Sequence, residues 1–530
     1  MTASEIALES LHKTATDIFI EALDACSIES AFDRRILFDG HKLHRLLADG
    51  VDGADETSRS GPSTLDLKDY RRIFVIAMGK AALPMLDTLL TRMDRRQGLR
   101  GICCSSEVPE KRNWRIRYFC GGHPLPTEGS FNAARATLAL LRKARKDTLV
   151  IFLISGGSSA MFDLPLDPDI SLEDTMVFHE ALISSGAPIT EINAVRKHFS
   201  AVKGGRLAIA ASEAAKLSIL LPDVPLRSLD TLASGPTLPD HTTVDEVRTI
   251  LAKYDLLVKF PESVRAFFNR VDLPESPGNK SRRGSFLPRL PWADGAANAL
   301  RRPAAAAAMR AKGLISGRLS REAPELESGR DTGEGLDRDF DHVSEQVSDE
   351  AFRDSMFEVL LSSHDLVENA RLKAEQAGYH VLVDNSCDDW DYADAARYLL
   401  ERFHALRTEH PRCCLISGGE VTVTINRTPG AGGRNQQFAL ACALELANFS
   451  GEQLVVFSAG SDGIDGNTRA AGAIADTTTV SRALAFGYQP KEALASFNAC
   501  PLFTALGDSV VTGPTGHNLR DLRLLISNLA

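Results

Sequence analysis

"TLVIFLISGGSSA" (Thr148–Ala160) decides the fold. An apolar run stops abruptly at Ser155 and two glycines, and small polar residues suited to opening a helix follow. "RIFVIAMGKAA" (Arg72–Ala82), "GICCSS" (Gly101–Ser106) and "KLSILLPDVP" (Lys216–Pro225) repeat the pattern: a short apolar strand that ends in small or charged residues. Helical stretches such as "FNAARATLALLRKAR" (Phe131–Arg145) lie between them. Strands alternating with helices predict an α/β fold around a largely parallel sheet. In such sheets ligands bind outside the carboxyl ends of the strands. The Gly, Ser, Lys and Asp residues of these stretches fall there.

Towards the N-terminus, apolar residues recur at helical spacing over about residues 5–50 (Ile18, Ile20, Leu23, Leu43, Leu46, Leu47), and 51–69 reads as a polar loop. Residues 273–350 break the alternation. "SPGNKSRRGSFLPRLPWADG", "RRPAAAAAMRAKG" and "REAPELESGRDTGEGLDRDFD" have the composition of a mobile insertion or linker. Strand–helix–strand patterning resumes in "FEVLLSSHDLVENARLKAEQAGYHVLV" (Phe357–Val383). Beyond it, "CLISGGEVTVTI" (Cys414–Ile425) reads as strand, glycine turn, strand, and "FALACALELANF" (Phe438–Phe449) as a helix. "QLVVFSAGSDGIDG" (Gln453–Gly466) and "VVTGPTGHNLRDLRLLI" (Val510–Ile526) complete the C-terminal third. Two α/β domains are expected, over 5–270 and 355–530.

The composition bounds the function. The 530 residues, 44% hydrophobic and 25% charged, suit a globular protein of two or three domains. A net charge of −10 argues against general nucleic-acid binding. No apolar run approaches the roughly 20 residues that span a bilayer, and the N-terminus lacks a charged-then-apolar signal region. Nine cysteines without CxxC spacing suit reduced, mostly buried thiols of a cytoplasmic protein.

Several stretches carry chemistry. "ISGGSSA" puts Ser155, Gly156 and Gly157 where free N–H groups at a helix start attract anions. Lys80 opens a helix against the macrodipole, a mild cost that points to an anionic partner. "INAVRKHFSAVKGGRLA" (Ile192–Ala208) carries Asn193, Arg196, Lys197, Lys203 and Arg206. On one continuous helix ended by Gly204–Gly205, Arg196 and Lys203 share a face. Such a basic cluster in an acidic protein favours a small anionic ligand. Asp223 closes an apolar strand and can ligate Mg2+ or accept a proton. Asp462 and Asp465 in "SDGIDG" suit Mg2+, which uses one or two carboxylates plus phosphate oxygens. In "GAGGRNQQ" (Gly430–Gln437), Gly430, Gly432 and Gly433 let backbone approach a ligand. Arg434 beside them offers a planar fork for carboxylate or phosphate, with Asn435 next in line. "TGPTGHN" (Thr512–Asn518) adds hydroxyls, Thr515 among them. A plain solvated turn is the alternative for each stretch. No P-loop, GxSxG elbow or HExxH zinc motif occurs, and no GxGxxG follows a strand as a dinucleotide site requires. Together the stretches describe an enzyme for a small anionic substrate that uses phosphate and Mg2+.

Taken in order, "VIAMGKAA", "GGHPLPTEGS", "LISGGSSA", "INAVRKHFSAVKGGRLA", "DVP…SGPTLPD", "LISGGEVTVTI…GAGGRNQQ", "SAGSDGIDGNTRAAGA" and "TGPTGHNLRDLR" resemble the glycerate 2-kinase family, the class with a C-terminal MOFRL domain (about 411–528). The resemblance covers most of 5–270 and 355–530. It implies ATP- and Mg2+-dependent phosphorylation of D-glycerate to 2-phosphoglycerate. It also implies a Rossmann-like N-terminal domain and a smaller C-terminal α/β domain, with the site in the cleft between them. Lys80, Asp223 and Arg434 match the family's functional residues. On that basis Lys80 and Arg434 neutralise the transferring phosphoryl group, and Asp223 holds Mg2+ or accepts the substrate's hydroxyl proton. Asn193 and Arg196 hold the glycerate carboxylate, beside the Ser155–Gly157 turn. Gly430, Gly432, Gly433, Asn435 and Thr515 serve the nucleotide phosphates, and Asp462 and Asp465 a metal or ribose. The expected partners are a small hydroxy acid and, as one assembly, a second copy of the chain; nucleic acid and membrane are not expected.

The sequence also departs from the family pattern. Ser158 stands for the usual third glycine of ISGGGSA, Pro222 for a common Ser, Leu226 for a common Gly, Ala431 for a Lys and Gln437 for an acidic residue. These changes keep open a related hydroxy acid as substrate and a non-catalytic sugar-acid-binding relative, and because some family members carry the label, a hydroxypyruvate reductase-type oxidoreductase is a third alternative.

Overall fold

The computed structural model describes residues 3–46, 62–93, 98–278, 351–352, 354–425, 427–449, 451–516 and 518–528. The insertion expected over 273–350 lies outside the described residues from 279 onward. Helices Ala3–Ala25 and Ile28–Arg35 lead into a small antiparallel sheet of β1 (Ile36–Asp39), β2 (Lys42–Arg45) and β3 (Thr64–Asp66). Helical spacing therefore ends at Arg35. Gly40 (φ +58) turns the chain back into a hairpin, and Leu43 becomes a buried strand residue.

The apolar runs become a six-stranded sheet. Its strands are β4 (Arg72–Met78), β5 (Leu99–Ser105), β6 (Ile116–Cys120), β7 (Thr148–Ser155), β8 (Ala215–Leu221) and β9 (Ser355–Val359). The order is β6-β5-β4-β7-β8-β9, and every pairing is parallel. Strands covered on both faces need no apolar–polar alternation, but the period of two persists in the packing. Val75, Ala77, Ile151 and Leu153 enter one core cluster, whereas Phe74, Ile76, Val150 and Phe152 enter another.

The second six-stranded sheet is mixed. It contains β10 (His380–Val383), β11 (Arg412–Gly418), β12 (Leu454–Gly460), β13 (Gly472–Asp476), β14 (Ser509–Val510) and β15 (Asp521–Asn528), in the order β10-β11-β15-β12-β13-β14. Only β10 and β11 run parallel; the other pairs are antiparallel. The strand expected in "EVTVTI" does not form. β11 already has β10 and β15 on its two sides, and the following segment makes one bridge, Thr422 with Asp391.

The architecture is two-domain α/β, and the chain crosses between the halves more than once. β9 follows the insertion yet pairs with β8, and helix Ser363–Gln376 then leads to β10. Helix Ala3–Ala25 packs on Ser363–Gln376 and β12, with the Phe19 ring 5.0 Å from Phe457. One apolar cluster consequently runs from Leu8 to Ile526. Among the described residues no helix is long and apolar enough to cross a membrane.

Candidate active site

Three strands deliver side chains to the turn after β7. Gly157 (φ +83) precedes the short helix Ser158–Met161, a conformation that disfavours any side chain. A methyl built there would lie 3.0 Å from Lys80 Cγ and 3.4 Å from His123 Cδ2. A side chain on Gly156 would collide with the Asp223 carboxylate. Lys80 follows β4, His123 follows β6 and Asp223 follows β8, so the carboxyl edge of the parallel sheet gathers all three over one turn. Ser155 braces that turn from beneath. Its buried hydroxyl accepts the Ala81 N–H at 3.0 Å, and its carbonyl accepts the Ser158 hydroxyl at 2.6 Å.

The helix Ile189–Phe199 brings Asn193 and Arg196 to the same place. Asn193 is buried; its amide donates to the Thr231 carbonyl at 3.3 Å and its oxygen accepts from Ser234 at 3.0 Å. Ser234 in turn lies 3.1 Å from Ser159, next to the turn. Arg196 is 7% exposed. Its one hydrogen bond is a long 3.5 Å contact from Nη1 to Asn193, and its Nε has no partner. Among the described residues no carboxylate lies within ion-pair distance of it. Burial pulls its pKa down to about 10. Burial, then Lys80 and Arg196, also lower the pKa of His123, which keeps that imidazole neutral at pH 7.

The rest of the expected basic cluster is structural. The helix stops at Phe199 instead of continuing to Gly204–Gly205, because extended Ser200 bridges Pro165 and donates its hydroxyl to Asp163 at 2.5 Å. Lys203, 1% exposed, is thereby turned onto Asp163 at 2.9 Å. Lys197 binds Asp230 at 3.0 Å and Asp240 at 3.2 Å, and Arg206 donates to the Lys197 carbonyl at 2.7 Å.

The second sheet supplies a different arrangement. Arg434 opens the helix Arg434–Leu446 and grips Asp521 through Nε (2.6 Å) and Nη2 (3.0 Å). Nη2 also donates to Glu420 at 2.7 Å. Burial works against the Arg434 charge, but Asp521 and Glu420 outweigh it and raise its pKa. Arg520 forms a two-pronged pair with Asp388 at 2.8 and 2.6 Å. Burial raises the pKa of Asp223, while Lys80 from its own sheet and Arg520 from the other pull it back. Burial, and next the Asp521 charge, lift Glu420 to about 7, and Asp223 adds to that. The two sheets thus face each other electrostatically across Asp223, Glu420 and Arg520.

The glycine loop is packed rather than open. Ala431 N–H donates to Asn498 at 2.9 Å and Gly432 N–H to Asn467 at 2.9 Å, while Gly430 lies against Asn498. Asn435 is fully buried and accepts from Ser458 at 2.6 Å. Asp465, next to Gly433, caps the helix: it accepts the N–H groups of Asn435 (3.0 Å) and Gln436 (2.9 Å) and the Gln436 amide (3.0 Å). Burial lifts its pKa to about 6. Gln437 donates to the Leu494 carbonyl at 3.0 Å. Asp462 accepts the Ile464 N–H through one oxygen at 3.1 Å; the other has no partner among the described residues. A methyl on Gly460 would lie 3.2 Å from Asp462 and 3.3 Å from Asp521, so those two carboxylates flank one point. Thr515 donates its hydroxyl to the Ser461 carbonyl at 2.6 Å. Among the described residues no three His, Cys, Asp or Glu side chains gather as a metal cluster.

Lys80, Gly156, Gly157, Asn193, Arg196 and Asp223 therefore come together on one side, and Arg434, Asp462 and Thr515 lie on the other. Ser155, Gly430, Asn435 and Asp465 are committed to internal contacts. Sequence reasoning passed over His123, Glu420, Arg520 and Asp521. The glycine pair before His123 and the "GGE" turn after β11 were the available signals; nothing marks "RD" in "NLRDLR" as more than the start of a strand.

A family model described as a domain of unknown function (DUF4147) matches residues 14–269, and one described as the MOFRL family matches 413–521. A glycerate 2-kinase from Pyrococcus horikoshii is 30% identical over 86% of this chain and 87% of its own. A relative from Agrobacterium vitis, provisionally named a hydroxypyruvate reductase, is 32% identical over 86% of this chain and 87% of its own. A crystal structure of glycerate kinase from Thermotoga maritima superposes with a TM-score of 0.69, at 25% identity, over 98% of this chain and all of that one.

Proposed function

The chain belongs to the glycerate 2-kinase family, and from that premise we propose that it transfers the γ-phosphoryl group of ATP, with Mg2+, to the 2-hydroxyl of D-glycerate. The observation that carries this reading is Arg196: a buried guanidinium without a carboxylate partner among the described residues, acting with Lys80 on the same His123 ring. A small substrate carboxylate supplies the charge that the protein does not. Asn193 and Arg196 hold that carboxylate, and the substrate hydroxyl is directed at the γ-phosphorus. As the new O–P bond forms, the hydroxyl proton passes to Asp223, whose buried carboxyl holds protons more tightly than usual. The bond to the β-phosphate oxygen breaks, and ADP leaves with its electron pair. Lys80 and Arg434 stabilise charge on the transferring group.

The donor set fits Mg2+, a hard cation that takes one or two carboxylates with phosphate oxygens. With Asp223 taking the proton, Asp462, one of whose oxygens has no partner among the described residues, is the residue that would hold it; Asp465, already accepting four donors, is a poor second. When bound, Mg2+ neutralises phosphate charge. The Arg434 side chain is the group offered to the nucleotide phosphates, since the N–H groups of Gly430, Ala431 and Gly432 and the Thr515 hydroxyl are taken. A cytoplasmic location accompanies this reading.

The test is ADP release with ATP, Mg2+ and D-glycerate, with the product identified by phosphorus NMR. Formation of 2-phosphoglycerate supports the reading. ADP release with a different hydroxy acid would move the substrate and keep the kinase. NADH oxidation by hydroxypyruvate without ATP would replace the kinase by the reductase that the Agrobacterium name suggests.

A further inference from the structure

His123 is the group at this site that the reading above does not use. It sits at the tip of the loop between β6 and the helix Glu128–Leu141. That loop is held by its own framework: Thr127 and Ser130 form a reciprocal cap, and the Ser130 hydroxyl also accepts the Gly122 N–H at 3.2 Å. The imidazole is therefore presented by a fixed support. It lies over Gly157 beside Lys80, with Cδ2 at 3.4 Å and Lys80 Cγ at 3.0 Å from the same built methyl. Among the described residues neither ring nitrogen has a hydrogen-bond partner. The charged groups that act on it are both cations, Lys80 and Arg196. Among the described residues no carboxylate orients the ring, as one does for His179, whose Nε2 lies 2.7 Å from Asp163.

We propose that His123 is a specificity-determining contact to the acceptor, hydrogen-bonding an α-hydroxy carboxylate whose carboxylate rests on Asn193 and Arg196, with Lys80 beside the ring. The chemistry follows from the juxtaposition of two cations and an uncharged ring. The cations select an anion, but they do not distinguish a hydroxy acid from any other small carboxylate. A neutral imidazole has one donor and one acceptor nitrogen and can engage a hydroxyl beside the carboxylate. A site that hydrogen-bonds a substrate hydroxyl favours substrates that carry it over analogues that lack it. The inference rests on the kinase reading for its acceptor, D-glycerate, but the ring itself reports binding independently of turnover.

The experiment uses the full-length protein and His123→Ala and His123→Asn variants. The His123 ring resonance, assigned by its loss in His123→Ala, is followed in NMR spectra during addition of D-glycerate, L-glycerate, D-lactate and propionate. In parallel, KM and kcat are measured with ATP and D-glycerate. The expected result is a ring shift with hydroxy acids and a much smaller one with propionate. KM for D-glycerate should rise roughly 3- to 10-fold in His123→Ala, less in His123→Asn, with KM for ATP unchanged. If no hydroxy acid moves the ring, or if His123→Ala keeps KM for D-glycerate within about twofold of wild type, the proposal is overturned. If the protein does not phosphorylate D-glycerate but another hydroxy acid moves the ring and propionate does not, the His123 contact stands and the D-glycerate reading fails.

Discussion

Replacing Arg196 by Met separates a functional charge from a structural one. Arg196 is almost wholly buried, has one hydrogen bond at 3.5 Å and leaves Nε unsatisfied. Its pKa, depressed to about 10, corresponds to roughly 3 kcal/mol of charge-burial penalty. The unpaired Nε adds about 1–3 kcal/mol. The one carboxylate that favours the charge, Asp163, is already bound by Lys203 at 2.9 Å. Met has comparable length, no polar atom to satisfy and adaptable packing. Arg196→Met should therefore unfold in urea at an equal or higher midpoint, with a gain of about 1–3 kcal/mol. The same change removes a buried charge-assisted contact to the substrate carboxylate, worth about 2–5 kcal/mol. That corresponds to a loss of at least roughly thirtyfold in kcat/KM for D-glycerate. KM for ATP should move little. The assays are circular dichroism in urea and coupled ADP release on the same preparation. A variant that loses more than about 1 kcal/mol of stability while keeping its KM for D-glycerate would refute the reasoning and make Arg196 a packing residue.

Three further outcomes follow from the buried carboxylates. Asp163→Asn strands Lys203 as a buried, uncompensated cation and should cost about 3–5 kcal/mol in urea unfolding. In the wild type, the Asp163 carboxyl is held well below its ordinary range despite burial, by Lys203 and His179. Its contribution is therefore complete above about pH 4 and fades as pH falls below that, and the pH–stability curve of the variant should lack this acid limb. Asp465→Ala removes a helix cap and should cost about 1–2 kcal/mol in stability while leaving the Mg2+ dependence of ADP release unchanged; a raised Mg2+ requirement would make Asp465 a ligand. Glu420, raised to about 7, favours the fold most at low pH, below its ordinary value, and its contribution is lost as pH rises through 7. Thermal melts between pH 5 and 8 should accordingly be flatter for Glu420→Gln than for wild type, by roughly 2 kcal/mol over that window.

The parallel sheet was legible because its strands are short, apolar and punctuated. Each ends in a residue that breaks the run: Gly79 after β4, Gly156 after β7 and Pro222 after β8. The second sheet was less legible. Its antiparallel pairs join β11 and β12 to β15, more than sixty residues further on in each case, and no local pattern announces such pairing. "EVTVTI" has the composition of a strand and stays irregular because both sides of β11 are already occupied. Propensity proposes a strand, and the available edges decide whether it forms. The break at Phe199 has the same origin: a tertiary bridge to Pro165 overrides the helical pattern that continues on paper.

Charge was the least legible property of the site. Arg196, Lys197, Lys203 and Arg206 sit within one short stretch and look alike in sequence, yet Lys197 and Lys203 have carboxylate partners and Arg206 lies on a carbonyl. Among the described residues Arg196 has neither a carboxylate at ion-pair distance nor a carbonyl to lie on. The same distinction divides the two sheets. On the parallel sheet, Lys80 and Arg196 carry charges that no described carboxylate pairs. On the mixed sheet, Arg434 and Arg520 are each held in two-pronged pairs. An anion reaching the first side meets cations without competition. One reaching Arg434 must displace or share Nη2 with Glu420, while Asp521 keeps the guanidinium plane fixed. Tight, uncontested binding on the first side suits a small acceptor whose carboxylate stays in place throughout. Contested, pre-oriented binding on the second suits a group whose charge changes during transfer, since the protein then stabilises the charge that develops rather than the charge that arrives.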